Sequence, residues 1–293
     1  KPARLKENFE RIYELLTRSE RGGADLILFP DHSLSGREVA SLWRDPGFTE
    51  ELEELNQKLI AASGNAYLFF GTAHCDQQRV ERRIIAARHG KMIGQFDEAA
   101  TAERSAWISC AVGDELWSLL PLMRDNPQQR AEWRASCPTP EKSLVLLWNR
   151  QSYGESLRYG EDNYSNFARD CSSHLVVVSS VGVENRGKVW YSLAGRSSLY
   201  SQKGEPLTLL PPLQESSQQC DLSAISPVKV AAARQESEEH YFAISDQIRS
   251  ILSISGYTKV AVGASGGIDS AVTAALFCSI FSPENVLLIN MPS

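Results

Sequence analysis

A glycine-rich turn between a strand and a helix most narrows what this chain can fold into. Residues 263–270 read Gly-Ala-Ser-Gly-Gly-Ile-Asp-Ser, after a predicted strand over 259–263 and before a predicted helix over 270–281. Two adjacent glycines let the backbone approach an anion closely, and the helix N-terminus offers unpaired N–H groups to a phosphate. A plain connection, in which Ser or Asp only caps the helix, is the alternative. The strand, loop and helix context favours nucleotide phosphate binding.

The side chains of this turn indicate how a polyphosphate would be held. Ser265 and Ser270 add hydroxyl donors, whereas the Asp269 carboxylate would repel a phosphate unless a Mg²⁺ ion bridges the two. The pattern GxxxxGK followed by Ser or Thr is absent from the sequence, so no P-loop lysine reaches a γ-phosphate. The residues therefore predict a phosphate site that differs from the common P-loop.

Composition and charge argue against several classes of protein. The 293 residues are 42% hydrophobic and 23% charged, which is typical of a globular protein. The net charge is −6, from 30 basic and 36 acidic residues without a basic cluster, and this argues against nucleic acid as the main ligand. Six scattered cysteines lack zinc-site spacing and predict reduced thiols in the cytoplasm. The longest apolar runs, such as 144–148, are too short to cross a membrane.

Helical and strand patterns alternate along most of the chain before residue 206. Such alternation predicts a layered α/β domain. Helices are predicted over 4–19, 49–62 and 162–171, and strands over 25–30, 66–72, 83–88, 92–96, 107–112, 143–148, 174–181 and 193–200.

A change in composition marks the end of this domain. Residues 206–222 are rich in Pro, Ser and Gln, which predicts that regular structure ends there in a linker or wrapping arm. An acidic helix over 236–254 then leads to the glycine-rich turn and to a strand over 286–290. This second unit is long enough for one βαβ piece but not for a closed sheet, so we expect the native chain to continue beyond Ser293. The predicted divisions are a first domain over 1–215, a linker over 216–236 and the beginning of a second domain over 237–293.

The turn and the last residues resemble signatures of one enzyme family. Ser-Gly-Gly-Ile-Asp-Ser at 265–270 resembles the pyrophosphate-binding signature of the N-type ATP pyrophosphatases, which cleave ATP between the α and β phosphates and adenylate a substrate. Met-Pro-Ser at 291–293 resembles the tripeptide found at the same place in NAD synthetases. The resemblance implies a site for ATP and pyrophosphate, with Mg²⁺ on Asp269. Its residues would be Gly263, Ala264, Ser265, Gly266, Gly267, Ile268, Asp269, Ser270 and Met291.

The first domain resembles the nitrilase superfamily. Residues 23–36, GADLILFPDHSLSG, resemble the segment that carries the general base of that superfamily, and weaker similarity continues at 90–94, 113–117 and 195–197. A nitrilase-type glutaminase before an ATP pyrophosphatase is the layout of glutamine-dependent NAD synthetases. The resemblance implies an α/β fold class: a nitrilase-like αββα sandwich, followed by the beginning of a doubly wound parallel-sheet ATP pyrophosphatase domain of the adenine nucleotide α-hydrolase type. It also implies a homo-oligomer.

Three catalytic positions of the glutaminase have changed. The family hydrolyses glutamine with a Glu base, a Lys that stabilises the oxyanion and a Cys nucleophile at a strand end. By resemblance these positions match Asp31, Glu98 and Gly113, which are predicted to be non-functional. Cys110 lies within a predicted strand, where packing as a small apolar residue is expected. An acid/base pair of Asp31 with His32 is not expected, because neighbouring residues at a strand end point in different directions.

The resemblance therefore implies an NAD synthetase-like ligase in the cytoplasm. ATP and Mg²⁺ would adenylate the nicotinate carboxylate of deamido-NAD, and ammonia would supply the nitrogen because the glutaminase residues are lost. The first domain would be kept for assembly or regulation. Two alternatives stay open: a non-catalytic scaffold or regulatory protein, and an ATP pyrophosphatase-type ligase for a different acceptor. Neither nucleic acid nor a membrane is expected as a partner.

Overall fold

The computed structural model describes residues 2–76, 79–97, 107–149, 151–228 and 236–290. The helices are α1 (Leu5–Arg21), α2 (Pro46–Ala62), α3 (Arg130–Ala135), α4 (Tyr153–Cys171), α5 (Glu236–Ser255) and α6 (Ile268–Ile280). The strands are β1 (Leu26–Phe29), β2 (Tyr67–Asp76), β3 (Arg79–Arg88), β4 (Lys91–Asp97), β5 (Ile108–Val112), β6 (Glu115–Leu122), β7 (Ser143–Asn149), β8 (His174–Ser179), β9 (Val181–Arg186), β10 (Val189–Ala194), β11 (Ser198–Tyr200), β12 (Pro206–Leu209), β13 (Val260–Ala264) and β14 (Val286–Asn290). In the described parts of the chain, no helix is both long and apolar enough to cross a membrane.

Two large sheets account for most of these strands. One has the order β1-β2-β3-β4, with β1 parallel to β2 and the other pairs antiparallel. The other has the order β12-β11-β8-β7-β6-β5, and its central strands β6, β7 and β8 are mutually parallel. The hairpin of β9 with β10 and the parallel pair of β13 with β14 form two smaller sheets.

The two large sheets pack face to face between layers of helices. Along β2, Phe69 points into the core between the sheets, where it meets Trp148 of β7 at a ring-centroid distance of 6.4 Å. Its neighbours Leu68 and Phe70 point the other way and pack with α1 and α2, because successive strand residues face opposite sides of a sheet. On the far side, Phe167 of α4 belongs to the cluster that covers the second sheet. The layers are therefore helix, sheet, sheet and helix, as the predicted αββα class requires.

Two predicted strands are divided in the structure, and some elements, β6 among them, were not predicted. The predicted strand over 174–181 is two strands that separate at Ser180, and the predicted strand over 193–200 is broken at residues 195–197. The break follows from two successive residues with left-handed backbone, Gly195 at φ +67° and Arg196 at φ +59°. The strand β6 was not predicted at all, since its first residues were interpreted as part of a catalytic motif.

The segment after β12 has little regular structure but is not detached. Regular structure was predicted to end at residue 206, whereas β12 continues to Leu209 as the antiparallel partner of β11. Beyond it, Glu215 accepts a hydrogen bond from Arg11 of α1, and Leu222 packs against the core between the sheets. This segment therefore lies along the nitrilase-like layers as an arm.

The described part of the C-terminal region contains a βαβ unit, as predicted. β13 and β14 pair in parallel with Val260 opposite Val286, and α6 connects them. The preceding helix α5 spans the predicted acidic segment and lies against the β9–β10 hairpin through Ala243, which packs with Ala194. The strand order places the glycine-rich turn at the carboxyl end of β13, the end where ligands bind in open α/β sheets.

Candidate functional site

The glycine-rich turn forms an exposed, glycine-capped helix start. Gly266 has a φ of +82°, a conformation that residues with a Cβ rarely adopt. Gly267 is the N-cap residue of α6, with φ −81° and ψ 160°, and has no side chain with which to cap it. No Ser or Asp side chain therefore caps this helix, in contrast to the capping expected for a plain connection. The N–H groups of the first turn have no hydrogen-bond partner within the helix, and they lie at the positive end of the helix dipole.

Two serines and an aspartate surround this helix start. The Ser265 Oγ lies 3.4 Å from the Ser270 Oγ, and Ser270 in turn donates a hydrogen bond of 2.9 Å to the Gly267 carbonyl. Asp269 lies in the first turn of α6 and is exposed. Hydroxyl and amide donors on an uncapped helix N-terminus suit the oxygens of a phosphate. The arrangement fits the polyphosphate of a nucleotide.

The protein alone provides little for a metal at this position. Within the described residues no three His, Cys, Asp or Glu side chains come together to hold a metal ion. Mg²⁺ in proteins often takes one or two carboxylates and completes its octahedron with phosphate oxygens and water. Asp269 fits that role only together with a bound polyphosphate. Met291, the last predicted residue of this site, lies outside the described residues.

The second predicted site centres on Asp31, which follows β1 and is 5% exposed. The Arg82 guanidinium holds its carboxylate, with Nη2 at 2.6 Å and Nε at 2.8 Å from Oδ2. Arg82 reaches this position from β3, where it points to the same side as Ile84, into the space between the sheets. Sequence analysis missed this partner because the predicted strand began one residue later, at Arg83.

His32 also lies beside Asp31, contrary to the prediction. Its Nε2 is 3.9 Å from the Asp31 Oδ2, and its Nδ1 is 3.3 Å from the Ser35 Oγ. The reason is the backbone of His32, whose φ of +51° departs from the extended conformation in which neighbouring side chains diverge. The two residues therefore share one buried polar cluster.

The pocket at this cluster is very small. Asp31, His32, Arg37, Ser180 and Leu193 line it, and it has room for about one water molecule.

Gly113 does not lie at this cluster. It occupies the two-residue turn that joins β5 to β6, with a φ of +57°. The carboxyl ends of the parallel strands lie beside Asp31, because the Trp148 indole donates to the Phe29 carbonyl at 2.9 Å and Ser180 donates to the Asp31 carbonyl at 3.0 Å. Gly113 lies before the first residue of β6. At about 3.3 Å per residue, it is about 30 Å from the carboxyl end of that strand.

The placement of the nucleophile at Gly113 is therefore corrected by the topology. The match to the family motif at 113–117 begins on a hairpin turn instead of at the carboxyl end of a parallel strand. The carboxyl ends that contact the Asp31 region are those of β7 and β8, and their described residues Asn149, Ser179 and Ser180 include no cysteine. Cys110 lies in β5, where burial raises the pKa of its thiol to about 11, as expected for a packing residue. Glu98, the residue matched to the lysine, lies outside the described residues.

Comparisons with known proteins agree with both parts of this description. Residues 240–293 match the NAD synthase family. A glutamine-dependent NAD(+) synthetase from Synechocystis sp. is 25% identical over 340 residues, which cover 99% of this chain and 57% of that protein. One from Acinetobacter baylyi is 20% identical and is covered to 55%. The chain thus spans a little over half the length of these relatives.

Solved structures similar to this chain include both an NAD+ synthetase and an amidase. A glutamine-dependent NAD+ synthetase from Acinetobacter baumannii, in complex with ADP, has a TM-score of 0.81 at 20% identity, over 99% of this chain and 57% of that one. An amidase of the nitrilase superfamily from Nesterenkonia has a TM-score of 0.56 at 17% identity, over 72% of this chain and 84% of that one. These comparisons confirm the resemblance to glutamine-dependent NAD synthetases that the sequence predicted, with a nitrilase-like part followed by part of an NAD synthase domain.

Proposed function

We propose that this chain belongs to an NAD synthetase-type carbon–nitrogen ligase that forms NAD from deamido-NAD, with ATP consumed and pyrophosphate released. The observation that carries the proposal is the glycine-capped start of α6 at the carboxyl end of β13, with Ser265, Asp269 and Ser270 around it. A neighbour of the same fold was solved with ADP, which supports a nucleotide at this fold.

In this reaction, a carboxylate oxygen of deamido-NAD attacks the α-phosphorus of ATP, and the bond to pyrophosphate breaks. Ammonia then attacks the activated carbonyl carbon, loses a proton, and AMP leaves. The α6 N–H groups and the two serine hydroxyls hold the pyrophosphate as negative charge builds on it. Asp269 would hold Mg²⁺, and the ion would neutralise part of that charge. Gly263, Ala264 and Met291 would line the same site.

We further propose that the first domain, over 1–215, does not hydrolyse glutamine. Amide hydrolysis by this class of enzyme needs a thiolate, a base and a cation for the oxyanion. Asp31 is instead neutralised by Arg82, and the pocket beside it admits about one water molecule. The described residues at the carboxyl ends of β7 and β8, Asn149, Ser179 and Ser180, include no cysteine. Ammonia is therefore the proposed nitrogen donor.

The proposed organisation has three parts. The inactive glutaminase-type domain is followed by a linker over 216–236 and by the beginning of the ATP pyrophosphatase domain over 237–293. The protein is proposed to act in the cytoplasm as a homo-oligomer, with the nitrilase-like layers providing the contacts between copies.

Exchange of labelled pyrophosphate into ATP tests the proposal on the full-length protein. The exchange requires adenylation to be reversible and should depend on both deamido-NAD and the glycine-rich turn. Exchange that needs deamido-NAD supports the proposal, and exchange with another carboxylate alone would indicate a ligase for a different acceptor. Failure to bind ATP would favour the scaffold alternative.

A further inference from the structure

A buried carboxylate fastens α5 to the nitrilase-like layers. The Glu239 side chain is 8% exposed, and the Arg196 Nη2 donates to both of its oxygens, at 2.7 and 2.6 Å. The Tyr153 hydroxyl donates to the same carboxylate at 3.4 Å. Hydrogen bonds between charged groups are among the strongest in proteins, and here one guanidinium nitrogen bonds to both oxygens of the carboxylate. This contact therefore fixes where α5 begins its course over the first part of the chain.

Arg196 lies in the strained turn between β10 and β11. This turn is hydrogen-bonded to the residues at the carboxyl end of β8. Arg196 has a φ of +59°, which for such a residue persists only where the surroundings impose it. The turn is held on one side by the Gly195 N–H, which donates to the Ser180 carbonyl at 3.0 Å. On the other side, the Ser197 Oγ accepts from the Ser179 N–H at 3.0 Å. The turn thus carries Arg196 on a rigid support.

The same support continues to the buried polar cluster. Ser180, which holds the turn, also donates its hydroxyl to the Asp31 carbonyl at 3.0 Å. Asp31 is in turn fixed by Arg82. A continuous series of polar contacts therefore joins the buried Asp31–Arg82 pair to α5.

From α5 the contacts lead to the candidate nucleotide site. The Tyr241 hydroxyl, two residues after Glu239, donates to the Ser279 Oγ at 2.9 Å. Ser279 lies in the last turn of α6, and the first turn of that helix is the phosphate site. Tyr241 and Ser279 thus connect α5 to the helix whose first turn is the candidate phosphate site.

We propose that Arg196 and Glu239 act as a joint through which the nitrilase-like layers position the nucleotide-binding turn. The first part of the chain then contributes to the reaction even though it does not hydrolyse glutamine, because it fixes the geometry of the turn over 265–270. Arg196 and Glu239 are positioning residues that do not touch the nucleotide. The proposal rests on the proposed function only for the identity of the ligand.

Hydrogen exchange and ATP titration of the full-length protein test this joint together. The variants are Arg196→Met, Glu239→Gln, the double variant, and Arg196→Lys, which keeps the charge but replaces the planar guanidinium by a compact ammonium group. Tyr241→Phe removes the second link without touching the buried pair. Lys142→Met is the matched control, because it breaks an exposed ion pair with Glu115, which lies in the nitrilase-like part.

We expect Arg196→Met and Glu239→Gln each to speed amide exchange over residues 265–272 and to weaken ATP binding about fivefold or more, a typical size for coupling between sites. The double variant should be no worse than either single one, Arg196→Lys should lie between wild type and Arg196→Met, and the control should match wild type. Should Arg196→Met fail to fold, Tyr241→Phe and Arg196→Lys decide by the same two readouts.

Unchanged exchange over 265–272 and unchanged ATP binding in folded variants would overturn the joint. The joint and the proposed function fail separately. ATP binding without NAD formation in the wild type would remove the proposed reaction, yet the effect of the variants on exchange and on ATP binding would still decide the joint.

Discussion

Asp31 and Arg82 form a buried ion pair between the two large sheets, with both Nη2 and Nε of the arginine on one carboxylate oxygen. The pair occupies the position at which the nitrilase resemblance predicts a general base. A carboxylate held by a guanidinium at 2.6 Å is a poor acceptor for a proton from a thiol, because protonation would leave the arginine charge buried without its counter-charge.

The first prediction concerns the stability that depends on this pair. Replacing Arg82 by Met leaves the Asp31 charge buried and should lower the free energy of unfolding by about 3–5 kcal/mol. Urea denaturation followed by circular dichroism measures the change. The matched control is Arg79→Met on the same strand, whose side chain is 83% exposed and which should cost less than about 0.5 kcal/mol. Adding Asp31→Asn should recover part of the loss, and equal costs for the two arginines would contradict the account.

The second prediction concerns the reactivity of Cys110. Burial raises the pKa of its thiol to about 11, so the reactive thiolate is scarce at neutral pH and increases only as the pH approaches that value. In the folded protein, iodoacetamide at pH 7 should therefore modify Cys137, which is half-buried, well before Cys110. Peptide mass spectrometry measures both sites, and unfolding in guanidinium should abolish the difference. Rapid alkylation of Cys110 in the folded state would contradict its role as a packing residue and would make it a candidate nucleophile.

The third prediction concerns the backbone of the phosphate turn. Gly266→Ala places a Cβ on a residue at φ +82°, which costs about 1 kcal/mol even though the space around it is open. The turn should relax away from this conformation, and ATP should bind several-fold more weakly in a titration. Gly154→Ala in α4 is the control, because a Cβ there meets no atom within 4 Å and Ala favours a helix. Equal ATP binding by both variants would argue against the turn as the phosphate site.

The fourth prediction concerns Asp269. If its carboxylate helps to bind Mg²⁺ with the phosphates, Asp269→Asn should raise the Mg²⁺ concentration needed for half-maximal pyrophosphate release, with less effect on nucleotide binding at saturating Mg²⁺. Glu284→Gln, in the short helical turn before β14, removes a charge of the same sign and should leave the Mg²⁺ dependence unchanged. An unchanged Mg²⁺ dependence in Asp269→Asn would exclude the metal role.

The elements that could be predicted are those specified by local sequence. The glycine-rich turn and its βαβ unit follow from apolar runs on either side of two glycines, and the helix α2 follows from its apolar spacing. The division of the predicted strand over 174–181 at Ser180 could not be predicted in this way, because no Gly or Pro interrupts that segment and the hydrogen-bond partners of Ser180, Asp31 and Gly195, are distant in the sequence.

The candidate site shows the same limit more clearly. Arg82 pairs with a carboxylate 51 residues away, and nothing local in the sequence joins them. The match at Gly113 gave a short motif more weight than the mostly apolar run of 115–122, which forms β6 after a two-residue turn. Topology, which decides which strand ends meet, corrects such a match.

The most direct test follows the nitrogen atom in the full-length protein. With ATP, Mg²⁺ and deamido-NAD, NAD formation is measured with labelled ammonium or with glutamine labelled at its amide. The account predicts label in NAD from ammonium and none above background from glutamine, with no release of glutamate. Transfer of label from glutamine at a comparable rate would contradict it, since the Asp31–Arg82 pair would then have to open during catalysis.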